Sequence, residues 1–117
     1  MKYNLIQEKS FEFSVRIVNL YKYLTTDKKE FVLSKQVLRS GTSIGANTEE
    51  AIGGFSESEF LFKMQIAYKE SRETIYWLRL LYRTDFVSKE QFSSIIKDAE
   101  EICKILTKII QTSKNKN

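Results

Sequence analysis

Three glutamates on neighbouring segments are the residues that could most readily do chemistry. Glu50 lies near the end of one segment with helical periodicity, and Glu70 and Glu73 lie in the middle of the next. Facing helices of a bundle hold two metal ions through such glutamates, but that pattern needs Glu-x-x-His pairs, and the chain has no histidine. Acid-base catalysis by the same residues lacks a nucleophile or a phosphate-binding loop to support it. We expect no catalytic residue, no metal and no cofactor.

The same glutamates also have a structural interpretation, as parts of a polar network between helices. Polar groups in a core are costly unless they satisfy one another, so a complete network would set helix register and pairing. Arg39 or Lys63 would complete the network. The predicted structural polar core is Ser43, Asn47, Glu50, Glu70 and Glu73.

A one-sided group of cations marks the third predicted helix. Placed at 100° per residue, four cations and a tyrosine fall within a sector of about 80°. They are Lys69, Arg72, Tyr76, Arg79 and Arg83. Such a stripe could follow a phosphate backbone while tyrosine stacks on exposed bases, and it could equally be an ordinary solvated face. The four cations are the nucleic-acid-binding candidates.

The segment 38–51 positions these groups, and it carries a packed-helix seam with unusually small residues. Apolar and small positions recur at alternating spacings of four and three. They are Leu33, Val37, Ser40, Ile44, Asn47 and Ala51. Gly41 and Gly45 each cost roughly 1 kcal/mol in a helix interior relative to alanine, which indicates a packing reason. The segment therefore predicts close approach by a neighbouring helix.

Periodicity predicts four helices, at about 8–25, 29–52, 58–83 and 89–112, followed by a polar, frayed tail at 113–117. Three capping-box patterns support the helix starts. The pairs are Asp27 with Glu30, Ser56 with Glu59, and Ser88 with Gln91. Gly53 and Gly54 are expected to end the second helix in the left-handed conformation that glycine readily adopts. Short connections make neighbouring helices antiparallel, so the prediction is one domain, 1–117, an up-down-up-down four-helix bundle.

Composition supports the all-α class and limits the partners. Proline is absent, and 29% of the residues are charged. The net charge of +4 permits nucleic acid without demanding it. The single cysteine, Cys103, lies on or beside an apolar seam and is interpreted as a buried structural thiol, which fits the cytoplasm. No apolar run approaches the roughly 18 residues that span a bilayer, and we expect no membrane partner.

The third helix carries more apolar surface than one seam requires. A second ridge repeats every seven residues, and Phe62 and Trp77 lie outside both rows. The ridge is Leu61, Tyr68, Ile75 and Tyr82. This surplus predicts that the helix is central in the bundle or faces another subunit, and self-association would account for it.

Two motifs resemble a known family. The first runs Arg39-Ser40-Gly41-Thr42-Ser43-Ile44-Gly45-Ala46-Asn47 and is followed by Glu50; the second comprises Lys63-Met64, Ala67, Lys69-Glu70, Arg72-Glu73-Thr74 and Tyr76-Trp77-Leu78. They resemble the four-helix-bundle proteins encoded within 23S rRNA intervening sequences, the S23 family. The likeness covers nearly the whole chain and is sharpest from about Leu38 to Leu81. Many relatives have proline where this chain has Gly45.

The resemblance implies a left-handed antiparallel bundle that assembles as a homopentamer, in bacteria, without known enzymatic activity. The family is also similar to the accessory variability protein of diversity-generating retroelements, a basic pentamer that binds nucleic acid and works with a reverse transcriptase. Five copies would repeat each basic stripe around a ring, so weak contacts would add. In the family motif the five polar-core residues match positions with a structural role.

The leading hypothesis is a non-enzymatic, oligomeric bundle that associates with RNA or DNA, or with an RNA-handling protein, through the basic stripe. Its rival is a protein-binding scaffold that has no nucleic-acid role and docks another protein on the apolar ridge of the third helix. A metal enzyme is the third and weakest hypothesis.

Overall fold

The computed structural model describes residues 3–116 and contains four helices. These are α1 (Asn4–Thr26), α2 (Leu33–Ile52), α3 (Glu57–Arg83) and α4 (Lys89–Asn115). The described part of the chain has no strand. The all-α prediction is therefore confirmed.

The helices form an antiparallel bundle about a single core. Each packs on its neighbours in chain order, and α4 returns to α1, whereas the backbones of the diagonal pairs do not come close to each other within the described residues. The bundle measures 47 × 21 × 20 Å. The α1/α4 contact is the least extensive, and two ion pairs bridge it: Lys9 to Glu101 at 2.7 Å and Arg16 to Asp98 at 2.6 Å.

The predicted seam of α2 is largely buried. Val37, Ser40, Ile44 and Ala51 are in the core, while Leu33 and Asn47 are only half-buried. Thr48, one residue beyond Asn47, is fully buried instead. The seam is wider than a single row because α2 packs against α1 on one side and α3 on the other.

The interior glycines of α2 lie against α1, as the small-residue pattern predicts. A Cβ atom on Gly41 would lie 2.7 to 2.9 Å from three side-chain carbons of Ile17. A Cβ atom on Gly45 would lie 3.2 Å from the carbonyl oxygen of Ser10. Glycine at these positions lets the two backbones approach closely, and this contact offsets its low helix propensity.

One of the three predicted capping boxes is complete, the second is present in part, and the third takes another form. Ser88 and Gln91 form a complete capping box, and the Ser56 hydroxyl accepts the Glu59 N–H at 3.1 Å. The second helix begins at Leu33 rather than 29, because Lys29 adopts a positive φ of 55°. The carboxylate of Glu30, which precedes α2 in the chain, then accepts hydrogen bonds from the backbone N–H groups of residues 32–34 at the start of α2.

Three further boundaries differ from the predictions. The helix α2 does end at the glycine pair, but Gly53 has a φ of −83° and neither glycine is left-handed, so that part of the prediction is wrong. The first helix begins four residues earlier than predicted, at Asn4. The last extends past the predicted end, because Ser113 is buried against the bundle. The final residue of the predicted tail lies outside the described residues.

Glu30 should make the stability of the bundle depend on pH. Burial raises the pKa of its carboxyl, but hydrogen bonds from the backbone N–H groups of Leu33, Ser34 and Val32 outweigh burial and hold the pKa below its ordinary 4.5. The native state therefore binds fewer protons than the unfolded state, so the stabilisation is complete above about pH 4.5 and is lost as pH falls through the lower native pKa.

We expect Glu30→Gln to cost about 1 kcal/mol of unfolding free energy at pH 7, the usual size of a capping contribution. The cost should shrink as the pH falls through the lowered native pKa of Glu30, because the wild-type carboxyl then becomes protonated. Urea denaturation at pH 7, 5 and 3 measures it. A difference between the two proteins that stays constant over this range would contradict the capping role.

Candidate nucleic-acid interface

The three glutamates considered for metal binding do not converge. Glu50 forms an ion pair with Lys63 at 2.7 Å, whereas Glu70 and Glu73 both bind the guanidinium of Arg39, with Glu70 at 3.0 Å. No group of three or more acidic or cysteine side chains in residues 3–116 could hold a metal ion. Each of these carboxylates instead joins α2 to α3.

The residues of the predicted polar core lie at the edge of the α2/α3 contact rather than inside the bundle. The Asn47 amide donates to the Ser43 carbonyl and hydroxyl oxygens, at 2.9 Å each, so this pair closes within α2. Both residues are half-buried, and Glu70 and Glu73 lie at the α2/α3 edge. Glu50 is exposed, with 59% of its side chain accessible, and its placement in the core is wrong. Its ion pair with Lys63 keeps it at the surface, where a charge loses little hydration.

A fully buried contact between polar side chains of α2 and α3 joins Ser40 to Thr74, whose hydroxyl oxygens lie 2.9 Å apart. Both residues occupy seam positions of their helices, and Thr74 also donates to the carbonyl of Glu70. The sequence signal was present, since each is a small polar residue on an apolar seam. What the sequence did not reveal is that these two seam positions face each other.

Two acidic side chains of α3, Glu70 and Glu73, lie on a different side of the helix from the four cations of the stripe. Glu70 and Glu73 face α2, where both bind Arg39 and the Trp77 indole N–H donates to Glu73 at 2.9 Å. The four cations of the stripe lie on the solvent side, and all are exposed. The partner helix thus removes the acids from the basic face.

The stripe cations have no partner among the described residues. Lys69, Arg72, Arg79 and Arg83 take part in no ion pair or side-chain hydrogen bond there. The other two arginines, Arg16 and Arg39, each bind a carboxylate. The arginines are therefore divided into two that hold helices together and three that are available to a ligand.

The stripe is also locally unfavourable for the helix. Lys69 and Arg72 are three residues apart, and Arg79 and Arg83 are four apart, so like charges face each other on adjacent turns. Each such pair costs an isolated helix about 0.2 to 0.5 kcal/mol. A local conflict of this kind is typical of positions where a sequence serves function rather than folding.

A groove lies beside the stripe, between the end of α3 and the start of α4. Its volume is about 400 Å³. The lining residues are Tyr76, Arg79, Leu80, Tyr82, Arg83 and Phe92. Tyr82 and Phe92 stack with ring centroids 4.6 Å apart and planes 8° from parallel. Phe92 was missed by sequence reasoning, because only the antiparallel packing of α4 on α3 brings it to the stripe.

The apolar ridge predicted on α3 is used within the chain. Tyr68 and Ile75 are half-buried against the core, and Tyr82 stacks on α4, so the ridge serves as the contact with the second neighbour. Trp77 is half-buried as well, whereas Phe62 remains 59% exposed.

An exposed apolar stripe lies instead on α1, and the sequence analysis did not predict it. It consists of Phe11, Val15 and Val18, which are 64%, 42% and 36% exposed. Their spacings of four and three residues place them on one side of the helix. The residues on the opposite side of α1, including Phe13 and Ile17, are buried.

No helix among residues 3–116 is long and apolar enough to cross a membrane.

Cys103 is only half-buried and carries a free thiol. The partial burial departs from the predicted buried thiol.

Comparisons with known proteins agree with this architecture. Residues 2–108 match the family model described as 23S rRNA-intervening sequence protein. A crystal structure from Bacteroides thetaiotaomicron VPI-5482, of a protein with unknown function from the S23 ribosomal protein family, superposes with a TM-score of 0.92. The two sequences are 56% identical, and the match covers 95% of this chain and 99% of that one. No curated protein matches the chain.

Proposed function

Because the chain belongs to the 23S rRNA-intervening sequence protein family, we propose that it is a non-enzymatic, oligomeric bundle that associates with RNA or with an RNA-handling partner through the outward face of α3. We call this face, made by Lys69, Arg72, Tyr76, Arg79 and Arg83, the basic face. A cytoplasmic location is part of the proposal, because an RNA partner would be found there.

One observation carries this proposal: the cations of the basic face are exposed and unpaired, while Glu70 and Glu73 of the same helix are bound by Arg39 at its α2 side. Unpaired arginine suits phosphate recognition, because its planar guanidinium donates two parallel hydrogen bonds to phosphate oxygens. Binding would release counterions from the nucleic acid without first breaking an ion pair of the protein. A net charge of +4 thus understates the local field of this face.

Self-association is the second part of the proposal, and the apolar stripe of α1 supports it. Burial of Phe11, Val15 and Val18 between copies would remove exposed apolar surface from water. Each copy adds one basic face to the assembly, so contacts that are weak singly become a useful affinity together. The subunit number of five comes from the family resemblance.

The experiment is RNA binding across a salt series, with light scattering to measure the mass of the assembly. Fragments of 23S rRNA, an unrelated structured RNA and duplex DNA serve as ligands. With four phosphate contacts per copy, the logarithm of the association constant should fall with the logarithm of salt at a slope of about −3 for each engaged copy.

Binding that is absent even at low salt, by a protein whose mass shows a well-formed oligomer, would refute the nucleic-acid role. The alternative is then a protein-binding scaffold, which the exposed apolar side chains on α1 favour. A mass equal to that of one chain would refute the oligomeric part of the proposal separately.

A further inference from the structure

We infer that the groove between α3 and α4 is a binding site for an unpaired nucleotide, in which an exposed base stacks on Tyr76 and its phosphate binds Arg79 and Arg83. The inference rests on the proposed function and deepens it, because it names the kind of nucleic acid that the basic face selects. Three features of the groove support it: its floor, its rim and its size.

The floor of the groove is aromatic and held in place. The parallel rings of Tyr82 and Phe92, one from each helix, lie 4.6 Å apart. Phe92 is partly buried against the core, whereas 36% of Tyr82 is exposed. The floor is therefore a fixed apolar surface that a flat, weakly polar ring could cover.

The rim of the groove joins a stacking surface to two cations. Tyr76 is 55% exposed, and its ring packs edge to face against the ring of Trp77, with the ring centroids 5.0 Å apart. This contact supports the Tyr76 ring. Arg79 is three residues from Tyr76, and Arg83 is one further turn along. Neither guanidinium has a partner in the described chain. The rim thus offers a π-face and phosphate donors side by side, as single-strand-binding proteins do.

The size of the groove favours one nucleotide over a helix. Small-molecule sites have volumes of about 300 to 1,000 Å³, and this groove, at about 400 Å³, lies near the lower limit. Bases within a duplex are covered by their neighbours and cannot reach a tyrosine, whereas bases in loops, bulges and ends can. A duplex could contact only the arginines of the groove and not its aromatic side chains. The aromatic surfaces therefore discriminate in favour of unpaired strands.

The test compares a 12-nucleotide RNA of mixed sequence, labelled with fluorescein, with the duplex formed by adding its complement. A DNA strand of the same sequence shows whether the site distinguishes RNA from DNA. Tyr76→Ala should weaken binding of the single strand about tenfold, the effect of losing one stacked base, while binding of the duplex changes little. Tyr76→Phe keeps the π-face and should bind like the wild type.

Phe62→Ala is the matched control, because Phe62 is an equally exposed aromatic on the same helix, 59% accessible, but lies outside the groove. It should leave the affinity for both ligands unchanged. The single tryptophan adds a local signal. Since the ring of Trp77 touches Tyr76, a base that stacks there should change the Trp77 emission, and the duplex should not.

The outcomes separate the inference from the proposed function. Equal affinity for strand and duplex, or wild-type affinity in Tyr76→Ala, would refute the unpaired-nucleotide site. Nucleic-acid binding by the basic face would not be refuted by either result. Absence of binding by all nucleic acids overturns both. If Tyr76→Ala instead changes the mass of the assembly and leaves nucleic-acid affinity unaltered, the groove is a contact between copies of the chain, and the inference is wrong.

Discussion

Replacing Arg72 and Arg79 with glutamate should lower affinity for RNA about 100-fold at physiological salt, because two charge-assisted phosphate contacts of at least 1.4 kcal/mol each become repulsive. The salt slope should also become shallower by about 1 to 2, since two fewer phosphates are neutralised. Fluorescence anisotropy with a labelled 23S rRNA fragment, repeated at several salt concentrations, measures both quantities.

The same double substitution should leave the bundle at least as stable as the wild type. Arg72→Glu introduces an acid three residues from Lys69, and Arg79→Glu introduces one four residues from Arg83. Both changes replace a repulsion along the helix with an attraction, which is worth a few tenths of a kcal/mol per pair. Lost binding with an unchanged or higher melting temperature therefore identifies a functional face, whereas lost binding through unfolding would not.

The matched control is Lys22→Glu with Lys35→Glu. Both lysines are exposed, neither forms an ion pair among the described residues, and they lie on α1 and α2, outside the basic face of α3. This variant lowers the net charge by the same amount as the arginine variant. If both variants lose affinity equally, the protein binds RNA through its overall charge and the basic face has no special role.

Gly41→Ala should destabilise the bundle by about 2 kcal/mol, although alanine is the better helix former by about 1 kcal/mol. The added Cβ atom would lie within 3 Å of three carbons of the fully buried Ile17. Ile17 is branched at Cβ and is confined on every side, so the helices must move apart or the side chain must leave its rotamer. Urea denaturation at one fixed protein concentration measures the change.

Two further variants test whether the effect comes from this contact. Ile17→Ala removes all three carbons that the new Cβ atom would meet, so adding Gly41→Ala to it should cost nothing or should stabilise. Gly53→Ala, at the C-cap of α2, is the control for adding a methyl group without a close contact, because a Cβ atom there lies 3.5 Å from its nearest neighbour. Equal effects of Gly41→Ala in the wild-type and Ile17→Ala backgrounds would show that the glycine is retained for another reason.

The periodicity of the sequence was sufficient to predict the four helices, their order and the antiparallel bundle, because the spacing of apolar residues reports which face of a helix is buried. The small residues of α2 likewise predicted a close helix approach, and Gly41 against Ile17 is that approach. Helix ends were less predictable. The start of α2 depends on Lys29 taking a positive φ and on Glu30 reaching three N–H groups, which no local pattern specifies.

For the candidate site, the sequence alone determined which residues share the solvent side of α3, because a helix fixes the angle between its side chains. The tertiary structure decided what each charge does. Arg39 and the stripe arginines are chemically identical, but α2 carries Arg39 to Glu70 and Glu73, and no described residue offers an acid to Arg79 or Arg83. Likewise, Phe92 joins Tyr82 only because α4 packs antiparallel on α3. Contacts between helices depend on register and on which helices are neighbours, and the spacing of residues along one helix does not specify either.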